Sequence, residues 1–388
     1  MATLLKELRR LGYAVHFAGV RMTVEEKTST LPMVDKWVWD FESPRLLSGF
    51  SKIRSSLKYR IRRILDRLWS RKDRLDDWFC DHWLGEALHL QQQGRYSRVL
   101  VAYVYHSKFL LAFPNPCLRI IDTHDAFSYP RNQPEAGSTD GPSRSYSVEE
   151  EKRGLLRAQR VIAIQDWEAA YFRQLLGSAG KVYTVGHIAE PLSVPLISAP
   201  AARVGCIGTN WWVNLQGYEW FLREAWPQIR ERVPAAEIWV AGGMSGQCTP
   251  ASGVRLLGQV PSLLNFYQEC PVFINTAQRG TGLKIKTIEA LMHGRPVVTT
   301  GIGAEGLEQF RGQGLFVCDT AEEFAGAVVN LLSNLPLAQQ IGEAALRCAQ
   351  NYVAENRKVL AAALMEKSET QSAAAPRRKN GFVTQPPN

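Results

Sequence analysis

The sequence predicts an α/β protein of two successive domains, each built on a parallel sheet, with a cleft between them. Three observations carry this. Short β-branched apolar runs alternate with amphipathic helical stretches, the βαβα order that builds parallel sheets. The alternation pauses at Pro191–Pro200, which holds three prolines, and restarts at Val204. The length, 388 residues, is more than a single core ordinarily serves. The expected division is 1–195, 196–348, a C-terminal helix over 349–367, and a polar, disordered tail over 368–388.

In the first domain, Ala2–Leu11 reads as a helix ending at Gly12, followed by a strand over Tyr13–Val20. An α/β domain ordinarily opens on a strand, so a helix feeding a strand reads as a start from which the first strand is missing. Lys52–Arg74 holds ten Lys or Arg against two Asp, with Ile53, Leu57, Ile61, Ile64, Leu65 and Leu68 recurring at three or four residues. That is a basic amphipathic helix. It suits either an anionic membrane surface or packing by its apolar stripe on the rest of the domain. A helix over Asp76–Gln93 follows, then strands at Arg98–Tyr105 and Leu118–Asp122. Pro130–Ser147 is a Pro-, Gly- and Ser-rich loop. A helix over Val148–Gln159, a strand at Arg160–Ile164 and a helix over Asp166–Leu176 complete the domain.

In the second domain, strands are expected at Val204–Ile207, Glu237–Ala241, Val254–Leu257, Val272–Asn275, Pro296–Thr300 and Gly314–Cys318. Helices are expected over about Leu215–Arg232 and over Ser262–Glu269, with a short one after Gly282 and two more reaching about Lys367.

Composition narrows the function classes. Hydrophobic residues make up 45% and charged residues 21%, ordinary for a globular chain. No apolar run is long enough for a transmembrane helix, and the N-terminus lacks a signal-peptide pattern. Seven scattered cysteines without a CxxC pair suit a reducing compartment and act as small core hydrophobes. The net charge of +9 is local to the basic helix, so nucleic acid is not an expected partner. The expected location is cytoplasmic, peripheral at the inner face of a membrane.

The chemistry concentrates in Gln278–Glu308. Glycines before a helix N-terminus leave free backbone N–H groups and a positive dipole end facing an anion. Arg279 precedes this point, and Lys284 and Lys286 lie in the first turns. Glu289 follows three residues after Lys286, about 60° away around the helix. Such a pair is ordinarily a surface ion pair worth a few tenths of a kcal/mol. The glycines Gly280 and Gly282 weigh against that, because they are conformationally costly without a purpose. Gly301–Gly306 matches GxGxxG, but further glycines at Gly312 and Gly314 leave no long helix for a dinucleotide. There is no HExxH, no DxD pair and no GxSxG, so no metal or cofactor is expected and any diphosphate must be held by fixed cations and amides. His124 follows the strand Leu118–Asp122 and is flanked by Asp122 and Asp125, carboxylates able to orient it. His187 and five other histidines lack such a setting.

These residues resemble a known family. RGTGLKIKTIEALMHGRPVVTTGIGAEGL is similar to the donor-site segment of family-4 (group 1) glycosyltransferases of the GT-B fold. The segment GTNWWVNLQGYEWFLREAWPQIRERVPAAEIWVAGG resembles their first C-domain βαβ unit, and DTHDAFSYP the strand end carrying the family's His. The resemblance implies two Rossmann-like domains and metal-free transfer, with retention, from a nucleotide sugar to a glycan or lipid-linked acceptor, as in surface polysaccharide synthesis. It implies a ribose contact by Glu289 and diphosphate contacts by Lys286 and the loop Gly280, Thr281, Gly282, Leu283, Lys284, with Arg279 beside it. His124 then lies near the sugar, with Asp125 next to it. Gly208 and Asn214 belong to the loop after the first C-domain strand. Two departures stand out. Thr281 occupies a position where the family often has a first Glu on the sugar. The Gly208 loop also lacks the family's Arg and Lys and carries Trp211, Trp212 and Asn214, with the tryptophans suited equally to lining the cleft or to the core. Two other readings share the fold: an inactive binding or scaffold protein, and a nucleotide-sugar epimerase, which calls for more acidic residues around the sugar.

Overall fold

The computed structural model describes residues 2–20, 30–41, 75–79, 81–94, 96–129, 146–195, 202–280 and 282–365. The expected basic helix at 52–74, residues 130–145 of the expected loop, Thr281 and the expected tail lie outside the described residues. The chain forms two compact units: Met1–Val185 with Arg357–Asn388, and Gly186–Asn356.

Unit 1 holds a parallel pair, β1 (His16–Val20) and β2 (Lys36–Phe41), and a parallel four-stranded sheet in the order β3 (Arg98–Ala102), β4 (Leu118–Asp122), β5 (Arg160–Ala163), β6 (Val182–Thr184). Its helices are α1 (Ala2–Arg10), α2 (Asp81–Gln93), α3 (Val148–Leu155) and α4 (Asp166–Leu176). The core gathers Phe79, Trp83, Phe109, Ile121, Val161 and Phe172. The expected strand 98–105 is shorter than its apolar run. Tyr103 takes a left-handed φ of 65°, and residues Val104–Ala112 coil into a 3-10 helix. Apolar residues there lie on both sides of the chain, so periodicity cannot distinguish strand from coil.

Unit 2 is a single six-stranded parallel sheet in the order β12-β11-β10-β7-β8-β9. The strands are β7 (Arg203–Ile207), β8 (Glu237–Ala241), β9 (Val254–Gly258), β10 (Val272–Asn275), β11 (Val297–Thr299) and β12 (Leu315–Val317). Chain order runs outward from β7 to β9, then restarts at β10 on the other side. The β7/β10 junction is therefore the topological switch point, where the loops diverge and leave a crevice at the carboxyl ends. The helices are α5 (Trp212–Trp220), α6 (Trp226–Arg232), α7 (Leu263–Glu269), α8 (Ile285–Met292), α9 (Ala321–Ser333) and α10 (Leu335–Leu364). The helix expected over 215–232 is interrupted by a π turn at Phe221–Ala225, just before Pro227, which has no N–H to give the ladder.

The division differs from the expected one at both ends. Segment 186–195 is bound into unit 2: Leu192 N donates to Met292 O at 2.9 Å, and buried Arg295 donates to Val194 O. The expected separate helix at 349–367 is instead the end of α10, which runs on through Gly342. A Cβ at Gly342 would lie 2.0 Å from Gly294 O, so the glycine allows close approach rather than ending the helix.

The same logic seats α5 on the sheet. A Cβ at Gly217 would lie 2.1 Å from Thr276 O at the end of β10. Gly217→Ala is expected to lower stability by about 1–3 kcal/mol through overpacking, checked by urea unfolding. A loss below ~0.3 kcal/mol would contradict this packing.

Candidate active site

The N-terminus of α8 is positioned from below by buried polar contacts. Asn275 Nδ2, at the end of β10, donates to Thr287 Oγ1 at 2.8 Å, and Thr287 Oγ1 donates to Gly303 O at 3.2 Å. Thr299 Oγ1 donates to Asn275 O at 2.8 Å. Gly303 is required there, because its Cβ would lie 1.9 Å from Thr299 Oγ1. The GxGxxG segment thus supports α8 and, as its context suggested, opens no long helix. Only 3-10 turns at Ile302–Ala304 and Glu308–Phe310 follow it.

Above this joint, the lead-in glycines take left-handed conformations that only glycine adopts at little cost, φ 105° at Gly280 and 73° at Gly282. Lys284 Nζ donates to Gly282 O at 2.8 Å, which closes the turn. Leu283 is buried, whereas Arg279 and Gly280 are exposed. Lys286 Nζ donates to Asn214 Oδ1 at 2.7 Å, and Asn214 Nδ2 donates to Thr209 O at 3.0 Å. These contacts link the first turns of α8 and α5 to the loop after β7, beside the switch point. Gly208 keeps that loop tight, since a Cβ would lie 2.5 Å from Met244 Sδ. Trp211 is 44% exposed, so it is not a core residue.

The expected neighbours Lys286 and Glu289 do not pair. Lys286 faces the neutral Asn214 amide, and Glu289 faces His187, whose Nε2 stands 3.4 Å from Glu289 Oε1. Burial depresses the Lys286 pKa, with the Cys206 thiol acting in the opposite direction. His187 was missed because it is remote in sequence; Leu192 and Val194 carry it to α8 by their backbone contacts with that helix and Arg295. His293 caps α8, its Nδ1 2.7 Å from Glu289 O, and stacks on Tyr267.

In unit 1, His124 adopts φ 59°, a costly conformation for a residue with a Cβ. Its Nε2 lies 3.1 Å from Asp122 Oδ2 and its ring 4.7 Å from that of Tyr103. Asp122 therefore orients His124, as its position at the strand end suggested. The loop beyond is clamped by buried Glu151, which accepts from Phe127 N at 2.9 Å, Ser128 N at 2.8 Å and Ser128 Oγ at 2.5 Å. Burial, together with the charge on Asp125, raises the pKa of Glu151 and brings Glu168 to about 8, against the opposing hydrogen bonds. Among the described residues Glu168 Oε2 has no hydrogen-bond partner, which suits the protonated acid.

Residues 201–334 match the family model described as Glycosyl transferases group 1. Over 167 residues the chain is 28% identical to an uncharacterized 44.6 kDa protein in the cps region of Klebsiella pneumoniae, covering 39% of this chain and 42% of that protein. The chain thus matches less than half the length of that relative. It is similar in structure to Anabaena HepE in complex with UDP and glucose, with a TM-score of 0.63 at 13% identity over 96% of this chain and 95% of HepE. Sucrose-phosphate synthase from Thermosynechococcus elongatus gives 0.65 at 14% identity, over 95% and 92%. TarM gives 0.55 at 14% identity, over 72% of this chain but 57% of TarM. The fold is GT-B.

The buried acid Glu168 has a pH signature. The folded pKa of Glu168, about 8, exceeds its ordinary value of 4.5, so the unfolded chain releases this proton first. Its contribution to stability is therefore fully present below about pH 4.5 and is lost as pH rises to about 8. Glu168→Gln is expected to flatten the fall in melting temperature over that window and to gain at least ~1 kcal/mol at pH 8. Parallel melting curves for the two proteins would contradict the assignment.

Proposed function

We propose, for a chain whose residues 201–334 belong to the glycosyl transferases group 1 family, a retaining, metal-independent glycosyltransferase. It moves a sugar from a nucleotide-diphosphate sugar to a glycan or lipid-linked acceptor in surface polysaccharide synthesis. The observation that carries this is the Lys286–Asn214 contact beside the switch point, at the N-terminus of α8. It places a cation at a helix N-terminus, where the dipole favours an anion, and among the described residues no carboxylate pairs with that cation. The UDP and glucose of the HepE complex support a nucleotide sugar as donor.

In this reading Lys286 and the amides of residues 280–284 hold the diphosphate, and Glu289 binds the ribose. The bond between the sugar's anomeric carbon and the diphosphate oxygen breaks, its electron pair stays on the diphosphate, and the acceptor oxygen takes its place on the same face. The acceptor's proton passes to the departing phosphate. Lys286 opposes the charge that grows on the leaving group, where electrostatic stabilisation counts most. His124, oriented by Asp122, serves the sugar side with Asp125. The protein works in the cytoplasm, with residues 52–74 docking on an anionic membrane face.

Lys286→Ala is expected to lower kcat/KM for nucleotide-sugar transfer or hydrolysis by about 10²–10³-fold, the scale of losing one preorganised charge-stabilising group. Glu289→Ala is expected to raise KM by ~10-fold or more through the lost ribose contact. Full activity in both variants would sink the site.

A further inference from the structure

The carboxylate of Glu289 rests against a histidine from a distant part of the chain. The cation beside it on α8 is Lys286, which instead donates to Asn214 Oδ1. His187, from the segment after β6, brings Nε2 to 3.4 Å from Glu289 Oε1. That nitrogen is buried and, among the described residues, has no aligned hydrogen-bond partner. Two further ionisable groups stand by. His293 Nδ1 lies against the backbone oxygen of Glu289, and its ring stacks on Tyr267 of α7 at 4.2 Å. Burial, and after it the charge on Glu289, raise the pKa of the Tyr267 phenol.

The position of His187 is fixed by Tyr352 and Asn356, one turn apart on α10. His187 N donates to Tyr352 Oη at 3.1 Å, and Gly186 N donates to Asn356 Oδ1 at 2.5 Å. Asn356 Nδ2 donates to Tyr352 O at 2.8 Å, and the Tyr352 ring packs on Phe310. A Cβ at Gly186 would lie 1.8 Å from Tyr352 Oη, so glycine is what lets the hydroxyl reach the backbone. Further on, Leu192 is held by Met292 O and Val194 by Arg295. The segment is pinned at both ends, and all of these residues belong to unit 2.

This partner leaves the carboxylate open to a ligand. A guanidinium fork occupies both carboxylate oxygens, whereas one imidazole N–H takes one. The Glu289 side chain is 31% exposed and that of His187 12%, so a ligand reaches the carboxylate while the histidine stays behind it. At 3.4 Å the contact is loose, and such contacts commonly tighten only when the ligand is bound.

We propose that His187 is a positioning residue for the donor's ribose. Its Nε2–H holds Glu289 Oε1 and leaves Oε2 to accept from the ribose hydroxyls. The assignment rests on the reading of Glu289 as the ribose contact. Because His187 acts through Glu289, its effect is confined to nucleotides that carry those hydroxyls.

The test is calorimetry with UDP or GDP, whichever binds more tightly, and with the matching dideoxynucleotide, which lacks both ribose hydroxyls. In the unaltered chain the dideoxynucleotide is expected to bind at least ~10-fold more weakly, the scale of hydrogen bonds to a charged group. Glu289→Ala is expected to cut that ratio to below ~2-fold. His187→Phe keeps a ring without nitrogen, and His187→Ala removes the ring. Each is expected to cut the ratio by at least ~3-fold while the dideoxynucleotide affinity stays within ~2-fold. His187→Gln, which restores an N–H donor, is expected to hold the ratio within ~2-fold of the unaltered chain. Added to Glu289→Ala, His187→Phe is expected to change neither affinity. A ratio that survives both His187→Phe and His187→Ala, while Glu289→Ala collapses it, would overturn the proposal and leave the ribose assignment standing. Equal weakening of both nucleotides by the histidine variants would overturn it too, since that is the mark of a purely structural role. A ratio untouched by Glu289→Ala, or binding of neither diphosphate, would overturn the ribose assignment and this proposal with it.

Discussion

The short polar joint beneath α8 governs the geometry of unit 2's site. Asn275, Thr287 and Gly303 come from a strand end, a helix and a loop, and their hydrogen bonds leave the three elements one arrangement. Each group is buried, so breaking one bond strands a polar atom away from water, a cost of about 1–3 kcal/mol. Because the joint lies under the first turn of α8, it fixes where the helix N-terminus points. The contacts of Lys286, of Glu289 and of the glycine turn all follow from that direction.

Charge placement above the joint separates a ligand site from an ordinary helix surface. Lys286 and Glu289 are close enough around the helix to neutralise each other, and the fold keeps them apart. Asn214 holds the ammonium with a neutral oxygen, and burial depresses its pKa. A cation held in this way is stabilised when an anion arrives. The missing loop cations after β7 fit the same picture: Asn214 stands in the first turn of α5, just past that loop, and orients Lys286.

Much of this was legible in the sequence, for identifiable reasons. The strands of unit 2 are short apolar runs bounded mostly by glycine or proline, and each appears where expected. The glycines before α8 and the weak context of GxGxxG were readable because turn chemistry is local. Strands β2 and β6 gave no comparable signal: β2 carries Lys36 and Asp40 within its run, and β6 has one aliphatic residue, Val182. The 3-10 helix after Tyr103 hid inside a continuous apolar run. His187 was invisible because nothing near it in sequence points to Glu289; it is held there by Tyr352, whose hydroxyl accepts from His187 N, and by the backbone contacts of Leu192 and Val194. The break between the units was misplaced for a related reason, since prolines mark an irregular segment without saying which unit binds it.

The central claim, that α8 and Lys286 form a diphosphate site, is tested most directly by calorimetry with UDP and with uridine. The account predicts that UDP binds at least ~100-fold more tightly than uridine, because phosphate contacts supply the affinity. At alkaline pH UDP binding should take up protons, seen as a dependence on buffer ionisation heat, because the arriving anion raises the depressed pKa of Lys286. Equal affinity for uridine and UDP, with no proton uptake, would contradict it.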